Sequence, residues 1–242
     1  MTFERVWHKS YPAGVPGEID IEPITFGEVL TRVTTRYPDR TALIYMGRKM
    51  SYRELDKLVN RFSRALIDLG VKEGDTVAML LPNIPQQVIA NYAVYRVGGI
   101  TAMNNPLYTE RELVYQLNDS EATVLITLDL LVPRALKLRE QTRVQKIIAC
   151  HISDYLPFPK KQLFPFVKKG MYRKIESGDG VYEFMELIKH YPDSPVENRG
   201  RWDDVAALIY TGGTTGASKG AMLTHANISQ LSSRYSRPGF RT

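Results

Sequence analysis

Residues Thr76–Asn104 read "TVAMLLPNIPQQVIANYAVYRVGGITAMN", and this stretch decides the fold. "TVAMLLP" is a continuous apolar run of strand length. Pro85 suits the first turn of a helix, where its missing N–H is not needed. The helix runs to about Arg96, Gly98 and Gly99 close it, and "ITAMN" starts a second apolar run. Strand, helix and strand with short links make a βαβ unit. Strands apolar on both faces belong to a parallel sheet covered on both sides.

The same rhythm extends outward. Upstream, "SYRELDKLVNRFSRALIDLG" opens with Ser51 and Glu54 in capping-box spacing. Leu55, Leu58, Val59, Phe62, Leu66 and Leu69 follow at helical spacing, and Gly70 suits a left-handed end. Before it come a helix from about Thr25 to Arg36, a short strand at Leu43–Tyr45, and "GRK" as a turn into Met50. Downstream, Thr109 and Glu112 cap a helix ending near Asn118. Thr123–Thr127 is a strand, Leu130–Arg139 a helix and Val144–Cys150 another strand. The rhythm breaks over His151–Gly180, read as an insertion or loop, and resumes with a helix at Tyr182–Tyr191 and a buried strand in "DDVAALIYT". The expected class is α/β, with parallel-rich sheets flanked by helices. No internal repeat or low-complexity tract interrupts it.

Of the 242 residues, 43% are hydrophobic and 24% charged, the balance of a soluble globular chain. No apolar run approaches the roughly 20 residues of a membrane span. The N-terminus lacks the apolar stretch of a secretory signal. The single cysteine, Cys150, allows no internal disulfide and no thiolate-rich metal site. These features point to a cytoplasmic protein. The net charge of +6 is local: "FPKKQLFPFVKKGMYRK" (Phe158–Lys174) carries six cations and no acid, and without them bases and acids balance. Arg234, Arg237 and Arg241 form a second basic patch. Nucleic acid is therefore not an expected partner. Four histidines, at 8, 151, 190 and 225, show no metal-binding spacing, and His225 reads as orienting the segment after the loop described next. The 158–174 stretch has two readings, a solvated loop or a peripheral contact with the inner face of an anionic membrane. The solvated loop leads, because no clear amphipathic helix is visible.

Past the last strand comes "YTGGTTGASKG" (Tyr210–Gly220). Glycines at 212, 213, 216 and 220 let the backbone approach a ligand closely, and successive N–H groups can form an anion-binding nest. Thr211, Thr214 and Thr215 add hydroxyls, and Lys219 adds a point charge suited to phosphate. A flexible Gly/Thr linker would not need a buried leading strand and a lysine. The spacing excludes a Walker A loop, since Ser218 precedes Lys219 and Gly220 follows it, and it does not satisfy G-x-G-x-x-G. Tyr210 reads as a core residue rather than a nucleotide neighbour.

This loop resembles the phosphate-binding signature of the adenylate-forming superfamily, departing from it only at Ser218, where proline is usual. "AMLTHANI" (Ala221–Ile228) and "VWHKSYPAGVPGEID" (Val6–Asp20) are similar to the long-chain fatty acid–CoA ligase branch. "MSYRELDKLVNRFSRALIDLGVKEGDTVAMLLPN" and "YRVGGITAMNNPLYTERELVYQLNDSEATVLIT" match the superfamily in order. The resemblance implies an acyl-CoA synthetase that activates a fatty acid with Mg·ATP to acyl-AMP and pyrophosphate, then transfers the acyl group to CoA. It assigns Thr211, Gly212, Gly213, Thr214, Thr215, Gly216 and Lys219 to the β- and γ-phosphates, and Thr211 also to Mg²⁺.

The resemblance further implies an N-terminal fragment, part of the large domain of such an enzyme. Residues 1–70 would contribute to one incomplete subdomain, poorly ordered or dependent on self-association. Residues 71–228 would form an α/β subdomain ending in the phosphate loop, and 229–242 an atypical tail without helical apolar period. The catalytic residues and the CoA and acyl sites would lie beyond residue 242, leaving the fragment inactive alone. The alternative is a non-catalytic nucleotide- or partner-binding module or a degenerate fragment.

Overall fold

A computed structural model describes residues 5–12, 15, 17, 22–211 and 218–235. Helix α1 (Phe26–Arg36) opens with a full capping box. Thr25 Oγ1 accepts from Glu28 N at 3.3 Å, and Glu28 accepts from Thr25 N at 2.8 Å. A hairpin follows, β1 (Thr41–Tyr45) antiparallel to β2 (Arg48–Ser51). Its turn is Met46–Gly47, with φ of 51° and 95°, so Arg48 and Lys49 lie in a strand and not in the expected "GRK" turn. Two central residues at positive φ give the twist that a two-residue hairpin requires. In α2 (Tyr52–Asp68), Ser51 Oγ accepts from Glu54 N at 3.1 Å, but the Glu54 carboxylate pairs with Arg48. The expected capping box is therefore half formed, because a nearby guanidinium offers a stronger, charge-assisted bond. Gly70 ends this helix at φ 84°, the left-handed conformation read from the sequence.

The alternation then proceeds through β3 (Thr76–Leu80), α3 (Pro85–Arg96), β4 (Ile100–Met103), α4 (Glu110–Asp119), β5 (Val124–Leu128), α5 (Val132–Arg139) and β6 (Lys146–Cys150). After α6 (Lys160–Val167) come β7 (Val181–Glu183), α7 (Phe184–His190), β8 (Val205–Thr211), β9 (Lys219–Thr224) and α8 (His225–Tyr235). Seven strands form one sheet in the order β7-β6-β5-β3-β4-β8-β9, parallel except for the last pair. The first strand of the βαβ unit is thus central and entirely buried.

Successive residues of a strand point to opposite faces, and the core divides accordingly. Val77 and Met79 face one layer with Val59, Phe62, Leu66, Ile89, Ala93 and Phe184. Ala78 and Leu80 face the other with Leu113, Leu117, Leu125 and Leu138. The first layer contains residues on both sides of Gly70, since α1 and α2 pack on α3 and α2 also packs on α7. Arg96, 1% exposed, joins α3 to α2: its guanidinium donates to Asp56 Oδ1 at 2.8 Å and Asn60 Oδ1 at 2.7 Å.

Three sequence expectations need correction. Val181–Glu183 pairs with β6 as an edge strand, so the helix read from Tyr182 starts at Phe184. The 158–174 stretch contains an eight-residue helix, α6, with Pro165 inside it and no buried residue. His225–Tyr235 is helical, so the tail read as lacking helical period begins inside α8.

Candidate functional site

Strands β8 and β9 are the two rails of a hairpin, and the Gly/Thr loop is its connection. Gly212, Gly213, Thr214, Thr215 and Gly216 lie outside the described residues. The residues at its two ends are described: Thr211 pairs directly with Lys219 across the ladder, and both are exposed. Cross-strand partners share a face with Cβ atoms about 5 Å apart. Thr211 and Lys219 therefore project from the same face at the end of the hairpin, at the carboxyl end of a parallel strand, where ligands collect in open α/β sheets. The sequence placed Lys219 in the loop; it begins a strand that the pattern of "KGAMLT" did not reveal.

The rails are held from below. Tyr210 is buried, and its hydroxyl donates to Asp119 Oδ2 at 2.8 Å and lies 3.2 Å from Gln116 O. Burial, then the bond to Asp119, raises the pKa of this phenol, so Tyr210 is a neutral core residue. Just before the opposite rail, the Gln116 amide donates to Ser218 Oγ at 3.1 Å. Gly220 pairs with Tyr210, and a Cβ there would press on the tyrosine ring at 3.1 Å, so glycine eases the close approach. The exit into α8 is fixed by Thr224, whose Oγ1 accepts from Asn227 N at 3.2 Å, and by His225. The His225 ring is 1% exposed, accepts from Phe26 N through Nδ1 at 3.3 Å, and meets the Tyr95 ring edge-on. Burial lowers its pKa, so the neutral ring ties α8 to α1 and α3.

A second polar cluster sits at the ends of β5 and β6. His151 lies 3.7 Å from Asp129 and 3.8 Å from Asp154, with all three buried. Gln86 donates to His151 O at 2.7 Å and to Asp154 Oδ2 at 3.0 Å. Burial raises both aspartate pKa values. The cluster receives the end of the basic stretch: Arg173 N donates to Asp129 Oδ2 at 2.6 Å, and Tyr172 stacks on His151 at 4.5 Å. It fastens a connection to the sheet and is remote in sequence from the loop. Sequence reading missed these partners, and it also missed Gln116 and Asp119, which meet the hairpin only across 91 to 102 residues of chain.

A mostly parallel sheet with Thr211 and Lys219 paired at a strand's carboxyl end makes the chain an open-sheet α/β protein, a class in which strand ends are the usual place for ligands. More particularly, residues 30–241 match the family model described as AMP-binding enzyme, and the chain belongs to that family. It is 38% identical over 231 residues to a long-chain-fatty-acid–CoA ligase of Bacillus subtilis (strain 168), covering 94% of this chain and 41% of that protein. A long-chain-fatty-acid–CoA ligase of Salmonella typhimurium is 38% identical over 242 residues, covering 96% and 43%. Among solved structures, a long-chain-fatty-acid–CoA ligase from Archaeoglobus fulgidus superposes with a TM-score of 0.69 at 23% identity, covering 91% of this chain and 40% of that one. A benzoate CoA ligase from Burkholderia xenovorans LB400 does so with 0.69 at 22%, covering 89% and 37%. At these identities the structures establish the fold, which is the α/β architecture expected from the sequence. The chain spans about two-fifths of the length of these curated relatives.

Proposed function

We propose that the chain supplies the pyrophosphate-side part of an acyl-CoA synthetase. The reading rests on the juxtaposition of Thr211 and Lys219 at the two ends of the Gly/Thr loop, in a chain whose relatives are named long-chain-fatty-acid–CoA ligases. In the first step a fatty acid carboxylate oxygen bonds to the α-phosphorus of ATP. The α–β anhydride bond breaks, and pyrophosphate leaves with the electron pair. In the second step the CoA sulfur attacks the acyl carbonyl carbon, and AMP leaves as the thiol gives up its proton. Negative charge grows on the departing pyrophosphate, so preorganised donors there lower the first barrier. Lys219, the backbone N–H groups of Gly212, Gly213 and Gly216, and the hydroxyls of Thr214 and Thr215 are the donors assigned to the β- and γ-phosphates. Thr211, an exposed hydroxyl beside Lys219, is a hard oxygen donor suited to Mg²⁺, which neutralises phosphate charge when bound with ATP. No residue here is assigned to the acyl group, to CoA or to the catalytic step.

The test is fatty-acid-dependent ATP–pyrophosphate exchange, run on this chain and on the chain joined to the remaining length of the Bacillus subtilis relative. Exchange is expected from the extended protein only, and Lys219→Ala should lower its rate about 100-fold, as for loss of one charged transition-state donor. An extended protein without exchange would favour the non-catalytic binding module.

The same proposal puts the protein in the cytoplasm, touching the inner face of a membrane through residues 158–174. In support, Phe158, Leu163, Phe166, Val167 and Met171 are all exposed, Phe158 to 83% and Phe166 to 72%, amid Lys160, Lys161, Lys168 and Lys169. An apolar face rimmed by lysines matches an anionic lipid surface.

A further inference from the structure

One turn of α4 touches β8 and the residue that leads into β9. On the entry rail, Tyr210 reaches Asp119 Oδ2 and Gln116 O. Directly before the exit rail, Gln116 Nε2 reaches Ser218 Oγ. The Gln116 side chain is 1% exposed, and its Oε1 is buried without a hydrogen-bond partner among the described residues. A position that only filled space would be better served by an apolar side chain, since a buried amide with one end unpaired is unfavourable. The amide is retained with its donor on the residue directly before Lys219. Serine at that position leaves the backbone φ free, where a proline would lock it covalently. An external hydrogen bond can supply the missing restraint.

We propose that Gln116 is a positioning residue for the loop: by holding Ser218 it sets the loop's exit, and so Lys219, against the entry fixed by Tyr210. The assignment rests on the loop being the phosphate site proposed above. The hydrogen bond acts as one half of a clamp whose other half is the Tyr210–Asp119 pair. Both halves are built on α4, so entry and exit are referred to one rigid element. Among the described residues, its side chain meets the loop's end through Ser218.

The experiment is a double-mutant cycle on this chain, read by amide hydrogen exchange over Tyr210–Gly220 and by the urea midpoint. Gln116→Met keeps the packing and removes the donor. Ser218→Ala removes the same bond from its half-exposed end, and so tests the clamp even if the buried variant fails to fold. Each is expected to speed exchange of the hairpin-end amides about tenfold, the loss of one ordinary hydrogen bond, with the midpoint nearly unchanged. The double variant should be no faster than either single one. Adding Ser218→Pro to Gln116→Met should restore slow exchange. Additive effects, or faster exchange spread over the whole chain with a lowered midpoint, would overturn the clamp and leave Gln116 a core residue. The pyrophosphate-exchange assay decides the function reading separately, so failure of the clamp and failure of that reading are told apart.

Discussion

His225 shows how one buried side chain makes stability depend on pH. Its ring accepts the Phe26 N–H, and burial holds its pKa below the ordinary 6.5, although Asp204 and Glu28 pull the other way. A base with a depressed folded pKa stabilises fully above the unfolded value, and the contribution is lost as pH falls through the folded value. Stability should therefore decline from about pH 6.5 downward. Asp129 and Asp154, with raised pKa values, act in the opposite sense, stabilising most below their unfolded 3.8 and less as pH rises. His225→Asn, which keeps an acceptor and does not titrate, isolates the histidine. Comparing urea midpoints at pH 7.5 and 5.5, the variant should lose less than the parent. An equal loss would mean that His225 is not the group responsible.

The helix pair α2–α3 illustrates the same physics between elements. Removing the carboxylate by Asp56→Ala leaves Arg96 buried with part of its charge uncompensated, which should cost about 3 kcal/mol in urea unfolding. The double change Asp56→Leu with Arg96→Met removes both charges and should lose much less. If it loses as much as the single change, the ion pair is not the cause. At this scale the sequence was most readable where an element carries its own signals. Pro85 and Gly98 bracket α3, and Thr109 and Glu112 cap α4 as their spacing indicates. It was least readable where a neighbour decides. Glu54 leaves its capping box for Arg48. Strands β7 and β9 are edge strands specified by their partners β6 and β8, and β7 runs straight into a helix. The loop's chemistry was legible as a motif, whereas Gln116 and Asp119 were not, because the hairpin they hold lies about a hundred residues further along the chain.

For the whole molecule, the excess charge is a surface property concentrated on the stretch that carries α6. That placement is what the membrane proposal uses. Purified chain should bind vesicles containing phosphatidylglycerol, lose that binding as salt rises, and ignore vesicles of phosphatidylcholine alone. With roughly 1 kcal/mol per lysine near such a surface, changing Lys168 and Lys169 to glutamate should weaken partitioning at least tenfold. Equal affinity for neutral vesicles, or no binding to either, would return the stretch to a solvated connection.

The pairing of Gly220 with Tyr210 carries one more consequence. Side chains alternate in direction along a strand, so a slip of β9 by a single residue would send the Lys219 ammonium through to the reverse side of the hairpin. A Cβ at this position would press on the tyrosine ring at 3.1 Å, and "KGAMLT" holds a single glycine to avoid it. The glycine works as an alignment mark between the two strands, deciding on which side of the sheet the positive charge stands.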